Sequence, residues 1–78
     1  MYDLKKVYSK VTLNLRRKGA NIEHLTLDDL EPEFIRVMNL KNKQTMAEHA
    51  QTMVKLDYLK VVGNLDDNTV VYAIGLEG

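Results

Sequence analysis

Cysteine is absent from the 78 residues, which excludes disulfides, thiol nucleophiles and thiolate metal sites. Histidine occurs only at His24 and His49, with no ligand spacing around either, so a zinc site is not expected. Proline occurs once, at Pro32, and the four glycines are scattered at Gly19, Gly63, Gly75 and Gly78, so they do not form a phosphate-cradling loop. Ser9 is the only serine, without a glycine elbow or a neighbouring histidine to activate it. The carboxylate pairs Asp28-Asp29 and Asp66-Asp67 sit in polar connectors, where capping and solvation are the default roles. These absences point to a binding module and not an enzyme, with no cofactor. No apolar run approaches the ~20 residues of a membrane span. Nor does the N-terminus have the apolar core of a signal peptide, so a cytoplasmic protein without membrane contact is expected.

A chain of this length allows one domain, spanning residues 1–78. Such a domain buries only about 60% of the surface its unfolded chain exposes. The formal net charge is zero, but it is assembled from blocks. Residues 1–18 carry six Lys or Arg against one Asp, and residues 19–34 carry five acids and no Lys or Arg. Residues 35–60 return to five bases against two acids, and the remainder holds only Asp66, Asp67 and Glu77. Charge segregated this way can leave a basic face on a neutral protein.

Leu4, Val7, Tyr8, Val11 and Leu15 recur at helical spacing and predict a first helix over about residues 3–18. Asp3 stands where an N-cap belongs, and Gly19 can take the left-handed cap beyond Arg16, Arg17 and Lys18. Val7, Val11, Leu13 and Leu15 also fit a period of two, so a strand giving a different α+β fold is the competing reading. Leu13 points off the helical stripe, together with Tyr2, as a dimer or partner contact would. Residues 20–31 read as a connector, in which Thr26 and Asp29 resemble a helix start of one turn. Pro32 then sets the start of a second helix, about residues 32–40, with Phe34, Ile35, Val37, Met38 and Leu40 on its apolar face. Asn42 caps a third helix, about residues 43–57, with Met46, Ala50, Met53 and Val54 inward and Leu56 near its end. Two β-branched runs, Leu59 to Val62 and Thr69 to Ile74, flank a polar loop and predict a hairpin over about residues 58–75.

This order, three helices and then a hairpin in a mainly helical α+β chain, resembles the winged helix-turn-helix family. The strongest match is residues 45–59. Thr45 and Met46 open the helix, Ala50, Met53 and Leu56 follow at plus four, seven and ten, and Tyr58 and Leu59 lead into the wing. Where the family commonly ends this helix with glycine, the chain has Asp57, which can enter the left-handed region at some cost. The interval from Met38 to Met46 is about a residue longer than usual, so an extended turn is expected.

The resemblance implies a small sequence-specific DNA-binding protein, a transcription regulator working as a homodimer on double-stranded DNA. Its third helix would enter the major groove, with Lys41, Asn42, Lys43, Gln44, Thr45, His49, Thr52 and Lys55 as the DNA-binding residues. Glu48 also faces outward and would repel phosphate, and Lys60 lies at the flank. The wing tip, residues 64–68, is acidic and lacks Lys or Arg, unlike a wing that grips a phosphate backbone. The competing implication is a winged-helix module that binds a protein partner.

Overall fold

The computed structural model describes residues 3–77. Three helices, α1 (Leu4–Arg17), α2 (Leu27–Met38) and α3 (Lys43–Lys55), precede two strands, β1 (Leu59–Asn64) and β2 (Val70–Ile74). The mainly helical α+β architecture, with the hairpin last, is the winged-helix layout the residue pattern predicts. Tyr2, paired with Leu13 in the outward-contact reading, lies outside the described residues. Among those described, no helix is long and apolar enough to cross a membrane.

The first segment is helical, which overturns the strand reading. Asp3 accepts the backbone N–H of Lys5 at 3.1 Å and of Lys6 at 3.4 Å, satisfying two donors that the helix leaves open. At the other end Gly19, at φ +77°, completes a Schellman turn. Its N–H donates to the Arg16 carbonyl, and that of Ala20 donates to the Leu15 carbonyl. Tyr8, Val11, Thr12 and Leu15 form the buried face, leaving Leu13 exposed as expected.

The second helix begins five residues earlier than Pro32, and the connector shortens to residues 20–26. Asp29 reaches back to accept the Thr26 N–H at 2.9 Å and its hydroxyl at 3.2 Å, so the start signal opens a full helix. Pro32 therefore lies inside α2 and removes one donor, a penalty of about 3 kcal/mol in a helix interior. Burial outweighs that penalty. Leu27, Leu30, Phe34 and Met38 lie on one stripe that packs into the core, and stopping at Pro32 would strand the first two. Ile35, expected on the apolar face, is exposed.

The turn from α2 to α3 spans residues 39–42, with Asn39 at φ 55°. Asn42 caps α3 as expected, accepting from Gln44 N–H at 2.8 Å and Thr45 N–H at 3.4 Å. Met46, Ala50 and Met53 are buried, and the methionines fill core space. The helix ends at Lys55. Leu56, read as an inward position, is exposed, and Tyr58 and Leu59 take its place in the core. Asp57 adopts φ 66° and stands where glycine is usual in a second Schellman turn, with Asp57 N–H on the Val54 carbonyl and Tyr58 N–H on that of Met53.

In the antiparallel hairpin, Leu59 pairs with Ile74 and Asn64 with Val70, with a bulge at Val62. The tip is closed by Asn68 N–H on the Leu65 carbonyl, with Asn68 at φ 67°. The connector contributes a pairing that the sequence does not announce. Leu25 and Tyr72 exchange both backbone hydrogen bonds, 2.8 and 2.6 Å, and Ile74 N–H donates to the Ile22 carbonyl. The outer edge of β2 is thereby covered, and the wing is tied to the body.

Candidate nucleic-acid interface

The spacing of buried residues along α3 fixes which of its side chains face water. With Met46, Ala50 and Met53 turned to the core, the opposite stripe is Gln44, Glu48, Gln51 and Lys55, at steps of four, three and four. All four are exposed. Gln51 is absent from the expected set, although counting around the helical wheel from Met46 finds it. Lys41 and Asn42 are exposed at the N-terminal end of this stripe. Lys43 is exposed too, with its ammonium 3.9 Å from the Glu31 carboxylate. At the surface such a pair holds the lysine only weakly.

Thr45, His49 and Thr52, expected to face out, are half-buried. The Tyr8 hydroxyl lies 2.8 Å from His49 Nδ1, and the two rings meet edge-on at 6.0 Å. Phe34 also meets the imidazole, tilted, at 6.2 Å between ring centroids. His49 is therefore part of the seam between α1 and α3, and its ring is committed to the body. Thr52 donates to the Glu48 carbonyl within its own helix. Burial raises the Tyr8 hydroxyl above the usual tyrosine value, and the nearby Thr52 side chain opposes that shift. Periodicity alone did not reveal this, because positions on the flank of a helix become inner or outer according to where its neighbour docks.

Beside α3, the wing supplies Lys60, exposed on β1, and an apolar floor. Val61, Val70 and Tyr72 join Gln51, Val54 and Lys55 around a shallow groove between α3 and the hairpin. Val61 is 53% exposed and Val62 50%. At the tip Asp67 accepts the Thr69 N–H at 3.0 Å, and hydrogen bonds from Thr69 hold its carboxyl below the usual aspartate range. The tip therefore presents Asp67 as an anion at neutral pH, with Asp66 exposed beside it.

Among the described residues no three His, Asp or Glu converge to hold a metal ion. Compared with known protein families, curated proteins and solved structures, the chain finds no match.

Proposed function

We propose that the chain is a small sequence-specific binder of double-stranded DNA, acting as a regulator and not an enzyme, with α3 as the element that enters the major groove. The observation that carries this reading is the exposed polar stripe Gln44, Glu48, Gln51 and Lys55, with Lys41 and Lys43 at its head. A helix about 10–12 Å across fits that groove. Both glutamine amides suit an adenine edge, Glu48 suits the amino group of cytosine, and the lysines suit phosphates. His49 contributes by fixing the pose of α3 through Tyr8, and the acidic wing tip stays off the phosphate backbone.

Titrating a labelled mixed-sequence duplex at low and moderate salt tests this. Affinity should fall steeply with salt, and Lys43→Glu with Lys55→Glu, in a folded variant, should reduce the salt slope by roughly two. An unchanged slope, or no binding at low salt, overturns the reading.

A second reading, a module docking on a protein partner, is favoured by the exposed Val61 in the groove and the exposed Val62 next to it in the strand. On that reading Val61→Asp abolishes capture of a stoichiometric protein partner, and duplex binding is absent.

A further inference from the structure

The exposed face of α1 is separate from the α3 stripe. Lys6, Lys10, Leu13 and Arg17 fall at steps of four, three and four, diametrically opposite the buried Tyr8, Val11 and Leu15. All are exposed, with Leu13 at 45%, and none of the three cations takes part in an ion pair among the described residues. Lysine stems and Leu13 line a shallow apolar hollow on this face. One flank already carries an acid of the same chain, since Glu77 borders the hollow formed with Ser9, Thr12, Leu13 and Arg16. Among the described residues nothing covers the outer stripe itself.

At the far end of the chain the wing tip is its chemical complement. Leu65 is 41% exposed and is followed by Asp66 and Asp67, with no Lys or Arg anywhere from Gly63 to Gly78. Neither aspartate takes part in an ion pair among the described residues. Turn hydrogen bonds at Asn68 and Thr69 define the shape of the tip, which reduces the conformational entropy it loses on docking. A protruding leucine flanked by two anions thus matches a leucine hollow flanked by three cations.

From this complementarity we infer that the outer face of α1 is a docking surface for a second copy of this chain, which inserts its Leu65-Asp66-Asp67 wing tip. The two surfaces are different patches of one molecule, so the contact is head-to-tail. It closes into a symmetric dimer if both copies reciprocate and otherwise extends into a chain. A single turn seated on one helix face buries far less than a standard interface, so the association is weak and sensitive to salt. On DNA it would place neighbouring copies side by side and leave α3 free, but the contact itself does not depend on DNA binding.

Charge exchange tests it, read by sedimentation velocity on the whole chain at low and moderate salt, with circular dichroism to verify folding. The wild type should associate at low salt and dissociate as salt rises. Lys6→Glu with Lys10→Glu, and separately Asp66→Lys with Asp67→Lys, should each weaken association at least tenfold. Mixing the two variants should restore it, because an acidic helix then meets a basic wing. If either pair fails to fold, Lys6→Gln with Lys10→Gln and Asp66→Asn with Asp67→Asn should weaken association in the same direction. A wild type that stays monomeric at its highest soluble concentration, or a loss that mixing does not repair, overturns the inference. So does a Lys6→Glu, Lys10→Glu variant that binds duplex DNA less tightly while its self-association is unchanged.

Discussion

In the helical body Tyr8, Leu15, Leu30 and Phe34 are fully enclosed, whereas Val61, Val62 and Leu65 in the wing stand about half in water. Both regions draw on apolar side chains, but only the body has three elements to pack against one another. The hairpin is held at its base, where Tyr58, Leu59 and Tyr72 join the core cluster and Leu25 closes the free edge of β2. Beyond that base its stability is local, resting on the turn at Asn68 and the pairing of two strands. The body therefore sets the fold, while the wing presents a surface.

If the body governs, the largest loss comes from its centre. Phe34→Ala, at a position with no exposure, should destabilise the whole chain by about 3–5 kcal/mol in urea unfolding, with wing and helices melting together. Separate transitions would break the comparison. Gly75→Ala tests the joint between the regions, because a Cβ there runs into the backbone carbonyl of Asp57. It should cost about 1–3 kcal/mol as the strand shifts, whereas Gly63→Ala, where a Cβ meets open space, should cost less than about 1. Asp57→Gly should act in the opposite direction. Relieving the left-handed backbone at φ 66° should stabilise by about 1 kcal/mol, seen as a higher urea midpoint at unchanged slope.

High pH should give the smallest effect and act through the body. Burial raises the hydroxyls of Tyr8 and Tyr72 above the ordinary tyrosine value of about 10. The folded state holds these protons more tightly than the unfolded chain. The stabilisation is thus complete below about pH 10 and is lost as pH climbs through the folded values. Tyr8→Phe should reduce that alkaline loss and, near neutrality, cost about 1 kcal/mol for the lost hydroxyl contacts.

What was legible in the sequence was local. Asp3, Gly19, Asn42 and Asp57 mark helix ends because capping is decided within a few residues, and the Val-rich runs mark the hairpin for the same reason. The start of α2 was misread because the restriction before Pro32 is also local, whereas the burial of Leu27 and Leu30 that overrides it is tertiary. Of the candidate surface, the exposure of Lys43, Gln44 and Lys55 was legible from the apolar register of α3. His49 and Thr52 were not, since only the docking of α1 turns them inward. The partner of Leu25 was invisible, because residues far apart in sequence supply its two hydrogen bonds.

A similar inward commitment is made by Glu33. Its side chain is 2% exposed and reaches Lys18 at 3.3 Å, while its second oxygen is buried without a hydrogen-bond partner. It joins the C-cap of α1 to α2, in the kind of ion pair that apolar residues of similar volume often replace without loss of stability.

The backbone exchange between Leu25 and Tyr72 also divides the molecule by time. The Tyr72 amide is buried and closed by a residue from before α2, so it meets water only when the body opens. Its hydrogen–deuterium exchange should run at the rate of global unfolding, whereas the Leu65 and Asn68 amides, closed only by the tip turn, should exchange through local opening. Amides a few residues apart on one hairpin would thus report on two different events.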